Sequence, residues 1–182
     1  MLSILIPTIR PAGRDICIES VKKTCQDIDY EIITEEDKKR IGCPKMLAKL
    51  LKKSKGDKIV FLGDDTELYN GCIQEALRAE TYLPDGWGMV GLNDGRPDEI
   101  NLKASTHFLL DKRLIPLIGG EIFHTGYIHC YCDDELALRA RLLGRYAYAK
   151  NAKINHKHPA NGNGVSDADY QRVYSKEVYD LS

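Results

Sequence analysis

The chain has 182 residues, 43% apolar and 29% charged, with 26 basic against 27 acidic side chains and a formal net charge of −1. That is enough for one core, without the basic excess of a protein whose main business is coating nucleic acid. No apolar run approaches the ~20 residues that span a bilayer. The opening MLSILIPTIRPAGR holds a short apolar run interrupted by Pro7, with no basic stretch before it. It reads as a first strand rather than a leader, and a cytoplasmic location is the default expectation.

LSILIPT (2 to 8) is predicted as a strand ending at Pro-Thr. RDICIESVKKTCQD (14 to 27) carries Ile18, Val21 and Cys25 at helical spacing,. YEIIT (30 to 34) is a second strand, and PKMLAKLLKKSKG (44 to 56) a helix with Pro44 in its first turn and Gly56 as its stop,. DKIVFLG (57 to 63) is a third strand, and NGCIQEALRAE (70 to 80) a helix. WGMVGL (87 to 92) and KASTHFLLD (103 to 111) read as strands, and KRLIPLIGG as a short helix. CDDELALRARLLG (132 to 144) is a helix with Leu136, Ala140 and Leu143 as its buried stripe and three acids in its first turn. YAYAKNAKINHKH follows as a strand with His156 and His158 at its end. NGNG (161 to 164) is a flexible break before a last helical segment, which sets Tyr170, Tyr174 and Val178 on one face.

The alternation of strands and helices predicts a single-domain α/β fold, residues 1 to 158, with a mainly parallel open sheet and helices on both faces. Residues 159 to 182 would then be a linker and a C-terminal helix packing on the body or on a partner, a second copy of the chain included. The six cysteines suit buried free thiols better than disulfides,. His124, His129, Cys130 and Cys132 lack the C-x2-C spacing of a zinc knuckle. If residues 128 to 132 form a strand, Cys130 and Cys132 share a face that His129 does not.

Ligands of such sheets gather outside the carboxyl ends of the strands. Each of the first three strands ends in polar or charged residues: Thr8 with Arg10, Glu35 to Asp37, then Asp64 with Asp65. The adjacent carboxylates of KIVFLGDDTEL mark either a solvated turn or a cation site. Asp133, Asp134 and Glu135 have a plain explanation in the dipole at a helix N-terminus, worth about 0.3–1 kcal/mol each. Trp87, between two glycines, reads as a core residue, with the floor of a sugar site as the alternative. His107 and His124 take no role beyond a structural one.

Four of these stretches, in order, resemble the nucleotide-sugar-dependent glycosyltransferases of family 2, which have the A-type glycosyltransferase fold. SILIPTIRP is similar to that family's first strand, YEIITEED to its second, SKGDKIVFLGDDTEL to its D-x-D segment, and DDELALRARLLGRYAYAKNAKINH to its E-D helix with a distal histidine. Two positions depart from the pattern: Gly63 and Cys132 stand where the family usually has an acid. The resemblance implies a metal-dependent transfer of a sugar from a nucleoside diphosphate sugar, most often a UDP-sugar, to an acceptor hydroxyl with inversion. It implies Mn2+ or Mg2+ held by Asp65 and His156, with His158 as the alternative ligand. It implies donor contacts from Thr8, Arg10, Glu36, Lys45, Asp64 and Asp65, with Glu35 and Asp37 as alternatives to Glu36. Asp133 would be the base, with Asp134 as its fallback. A non-catalytic nucleotide-sugar binding module is the alternative that the two missing acids keep open. A nucleotidyltransferase fits less well, because PTIRPAGR has a single glycine where a phosphate loop is needed,.

Overall fold

The computed structural model describes residues 1–175. Its strands are β1 (Leu2–Thr8), β2 (Tyr30–Glu36), β3 (Lys58–Phe61), β4 (Thr66–Leu68), β5 (Met89–Asn93), β6 (Phe108–Asp111) and β7 (Tyr146–His156). They form one sheet in the order β2-β1-β3-β6-β5-β7-β4. β1 pairs in parallel with β2 and β3, and β5 in parallel with β7. β6 enters antiparallel between β3 and β5, and β4 lies antiparallel beside β7. β1, β2, β3, β5 and β7 therefore share one direction and end at the same edge, the upper edge below.

The helices are α1 (Pro11–Thr24), α2 (Cys43–Leu51), α3 (Cys72–Glu80), α4 (Asp98–Asn101), α5 (Cys132–Leu142) and α6 (Ala168–Val173). Side chains alternate along β1, so Ile4 and Ile6 pack with Cys17 and Val21 of α1 and Ile73 of α3,. Leu5 faces the other way, into a core shared with Leu47 and Leu50 of α2 and Leu136 and Ala140 of α5. Helices thus cover both faces, as the alternating pattern requires. Each fully buried Leu or Ile contributes about 1.5–3 kcal/mol relative to exposure, which is why β1 and β3 tolerate hardly a polar side chain. Leu143, expected on the buried stripe of α5, is exposed; Ala137 is buried instead.

Several boundaries move for local reasons. α1 starts at Pro11, whose fixed φ suits a first helical turn, and ends at Thr24,. α2 ends at Leu51, where Lys53 and Ser54 turn back onto the carbonyls of Leu50 and Leu51. Gly56 is not its stop. A Cβ there would lie 2.7 Å from the Leu2 carbonyl carbon, so glycine lets the chain pass against β1. Of residues 103 to 111, only Phe108–Asp111 is strand. Before it, the Ser105 hydroxyl donates to the Leu92 and His107 carbonyls and holds a turn,. KRLIPLI forms a 3-10 helix over Lys112–Ile118, with Asp111 accepting from the Arg113 N–H at its start. Residues 128 to 132 are not a strand: Tyr131 takes a left-handed φ of 65° and leads into α5. All six cysteines are free.

β4 was unforeseen. Thr66 and Leu68 pair with His156 and Ile154 at the end of β7, and the Lys157 N–H donates to the Asp65 carbonyl at 2.9 Å. That short ladder seats residue 65 beside residue 156. No described helix is long and apolar enough to cross a membrane.

Candidate active site

A cavity of about 400 Å³ opens at the upper edge of the sheet. Thr8, Arg10, Asp64, Asp65, Asp133, Asp134, His156 and His158, all singled out in the sequence, line it. Lys45 does not: it is exposed on the outer side of α2. Glu36 does not line it either, and its carboxylate lies 3.9 Å from Lys38. Glu35 pairs with Lys49 and Lys53. Asp37 is the acid of that strand end which reaches the cavity.

Two of the strand-end acids hold their own backbone. Asp64 is 5% exposed. Its Oδ2 accepts from the Thr8 hydroxyl and from the Ile9 and Arg10 N–H groups, each at 2.7 Å. Asp37 accepts from the Ile41 and Gly42 N–H groups, each at 2.9 Å. Each carboxylate sits at the entry of a helix, α1 for Asp64 and α2 for Asp37, where unpaired N–H groups and the helix dipole favour negative charge. The adjacent like charges of Asp64 and Asp65 are therefore separated in function: one carboxylate is consumed by a turn.

The other faces the cavity. Donor atoms of Asp65, His107 and His156 lie within 4.8 Å of one another. Among the described residues this is the one group of His, Cys, Asp or Glu side chains that converges as metal ligands would. His124, His129, Cys130 and Cys132 do not; the Cys132 thiol donates to the His129 carbonyl at 3.0 Å, and His124 is exposed. His156 Nε2 is 3.6 Å from Asp65 Oδ1, and its Nδ1 is 3.9 Å from Asp94 Oδ2. The His107 ring meets that of His156 edge-on at 4.5 Å and stacks on Phe61 at 5.9 Å.

Electrostatics divide the two imidazoles. Burial alone would discharge His156, but Asp65 and Asp94 outweigh it and lift its pKa to about 9,. Burial and the charge of His156 push His107 down to about 3 despite both carboxylates, so it is neutral at pH 7. Burial opposes the charge on Asp65, yet His156 and Tyr170 hold its carboxyl well below the usual range.

Asp133 belongs to the same polar system. Its Oδ2 accepts from the Thr106 hydroxyl at 3.1 Å, which in turn accepts from Arg96 at 3.0 Å. Arg96 donates to Asp94 at 2.8 Å, and Asp94 faces His156. A relay of polar groups thus runs from the first turn of α5 to the end of β7. Asp134, the next acid, is exposed.

α6 closes one side. The Tyr170 hydroxyl donates to Asp65 Oδ2. The Arg10 guanidinium binds Asp167 through two bonds, at 2.7 and 3.1 Å, and lies 4.4 Å over the Tyr170 ring. The Tyr174 hydroxyl is 3.0 Å from His158 Nε2. Of the tyrosines expected to meet the body or a partner, Tyr170 is buried against the body and Tyr174 is 49% exposed; Val178 lies outside the described residues. Trp87 is remote from the cavity, held between Arg145 at 3.7 Å and Arg113 at 4.9 Å. Sequence reasoning missed His107, Asp94, Thr106 and Tyr170. Only spatial pairing sets them apart from ordinary core and surface residues.

No family model matches the chain, and no curated protein matches it. Solved structures do. The mannosyltransferase PcManGT from Pyrobaculum calidifontis, in complex with GDP-Man and Mn2+, is similar at a TM-score of 0.65 and 13% identity, over 83% of this chain and 55% of that one. S. aureus TarS 1-349 is similar at a TM-score of 0.66 and 14% identity, over 88% of this chain and 61% of that one. Its complex with UDP-GlcNAc gives 0.63 and 12%, over 99% and 64%. This chain spans less than two thirds of each of these neighbours. It has the A-type fold of nucleotide-sugar transferases.

Proposed function

We propose that the chain is a glycosyltransferase that moves a sugar from a nucleoside diphosphate sugar to an acceptor hydroxyl, with a divalent cation at Asp65 and His156. The observation that carries this reading is the convergence of Asp65 and His156 in the same cavity as Asp133. It is supported by neighbours of the same fold that hold GDP-Man with Mn2+, and UDP-GlcNAc. The donor set fits a divalent ion: carboxylate and imidazole are ordinary ligands, and Asp94 Oδ2 lies 3.9 Å from His156 Nδ1, on the side away from Asp65,. When bound, Mn2+ or Mg2+ would stabilise the negative charge that grows on the departing diphosphate.

The remaining steps belong to the chain itself. Arg10 stands at the head of α1 to meet the diphosphate once Asp167 releases it. Asp133 takes the proton of the acceptor hydroxyl as it attacks the anomeric carbon. Thr106 orients that carboxylate by its hydrogen bond. Attack from the side opposite the leaving group gives inversion.

One observation favours the second reading, a binding module without turnover: Tyr170 and Asp167 of the C-terminal segment occupy Asp65 and Arg10. The test is a panel of nucleotide sugars with Mn2+, with and without candidate acceptors, measuring free nucleoside diphosphate. Release from one donor supports transfer. Tight binding of one donor without release supports the module, and neither result with any donor overturns both.

A further inference from the structure

Gly63 stands where the resembled family carries the first acid of its D-x-D segment, and the structure supplies a physical reason for the glycine. A Cβ at position 63 would lie 2.6 Å from Asp65 Oδ1 and 3.1 Å from His107 Nε2. Any side chain there pushes aside the carboxylate oxygen that faces His156 and crowds the His107 ring. The space beside Asp65 is therefore filled from another element, by an imidazole delivered from the turn before β6.

His107 itself lacks a structural account. It is 1% exposed; its Nε2 faces Gly63 beside Asp65, and its Nδ1, like that of His156, meets no hydrogen-bond partner. Burying a polar ring without satisfying both nitrogens is unfavourable, and a leucine or phenylalanine would pack beside Phe61 without that cost. The surroundings are set up to hold it still. Phe61 stacks on one side of it and His156 abuts it edge-on. Around the cluster, Tyr170 holds the second oxygen of Asp65, leaving Oδ1 toward the two rings. Asp94 stands behind His156, itself fixed by Arg96.

We propose that His107 is a third protein ligand of the cation site, replacing the acid absent at position 63, and that the site consequently selects a divalent transition ion over Mg2+. The inference rests on the reading of Asp65 and His156 as that site. Two imidazoles and one carboxylate form a nitrogen-rich set. Mg2+ keeps oxygen ligands and water, whereas imidazole favours later first-row ions, in the order Mn2+ below Co2+. Carboxylate and water ligands suit Mg2+ and Mn2+ alike.

The experiment is binding of Mg2+, Mn2+ and Co2+ to the full chain by calorimetry, with the visible absorption of bound Co2+ as a report on nitrogen ligation. Wild type should bind Co2+ more tightly than Mn2+, and Mn2+ at least about ten-fold more tightly than Mg2+. His107→Gln, which preserves size and polarity, should weaken Co2+ binding at least about ten-fold and alter its spectrum. Thermal unfolding of the ion-free variant reports whether it is folded, and His107→Phe gives a second variant that fits the aromatic packing and lacks the ligand. Unchanged Co2+ affinity and spectrum in both folded His107 variants would overturn the proposal while leaving Asp65 and His156 standing. If Asp65→Ala also leaves ion binding unchanged, or wild type binds none of the three ions, the parent reading fails too.

Discussion

The two edges of the sheet each bury a cluster of charged groups, and the clusters differ in kind. At the lower edge, Lys58 contacts Glu80 at 2.7 Å and Asp111 at 3.0 Å, and Arg113 adds two bonds to Asp111. Two cations meet two carboxylates, and they lie away from the cavity that the upper edge lines. At the upper edge, Asp65 and Asp94 face His156, and Asp94 also pairs with Arg96. His107 adds a nitrogen with no partner, and the whole group lines an open volume. Paired charges that lie away from any cavity explain themselves as structure. A carboxylate and two imidazoles that converge beside a cavity are arranged as a ligand site would be.

The sharpest way to break that contrast is to remove one acid from the upper edge. Asp133→Asn should lower turnover by about 10²–10⁴-fold while donor affinity stays unchanged, measured as nucleoside diphosphate release against calorimetric binding. Survival of turnover would put the base elsewhere. Asp65→Ala should abolish cation-dependent nucleotide binding with little change in the urea midpoint.

The lower edge should respond in the opposite sense. Lys58→Ala leaves Glu80 and Asp111 without their shared cation and should destabilise the fold by about 3 kcal/mol in urea unfolding, with ligand affinity intact. Asp64→Ala tests the boundary between the two kinds. It frees two backbone N–H groups and a hydroxyl, so a loss of about 1–3 kcal/mol in stability is expected, alongside weaker donor binding through the displaced Arg10. A normal urea midpoint would show that the turn does not depend on it.

The smallest effect expected is an acid one. Burial would raise the Asp111 carboxyl, but hydrogen bonds from Arg113 and Lys58 hold it well below the usual range. A depressed folded pKa means its stabilisation is complete above the unfolded value of about 4 and is lost as pH falls below it. Asp111→Asn should therefore flatten the decline of stability below pH 4, seen as a shallower fall of the urea midpoint with pH. An unchanged acid limb would leave the lower cluster without the role assigned to it.

The elements that could be read from the sequence are those whose signal is local. The first three strands and α1, α2 and α3 announce themselves by apolar runs, helical spacing, prolines and glycines. β4 has only three residues and exists because β7, far along the chain, offers an edge. β6 reads as part of a longer strand because the Ser105 turn depends on carbonyls of residues 92 and 107. Asp65, His156 and Asp133, picked out by likeness to a family pattern, do line one cavity. Lys45, early in a helix, and Glu36, at a strand end, do not line the cavity, because position along the chain does not reveal which way a side chain points. His107 stayed hidden because a histidine before an apolar run looks like a buried residue, which it also is.

Trp87 is the only tryptophan of the chain, and its ring lies between two guanidinium groups at the lower edge. That makes it a built-in optical probe with a defined blind spot. Its emission will follow unfolding of the lower edge, and loss of Arg113 or Arg145 will shift it. It does not line the cavity. Titrating a nucleotide or an ion into the upper edge should leave the tryptophan spectrum nearly unmoved, while Tyr170 and Tyr174 supply the signal that changes.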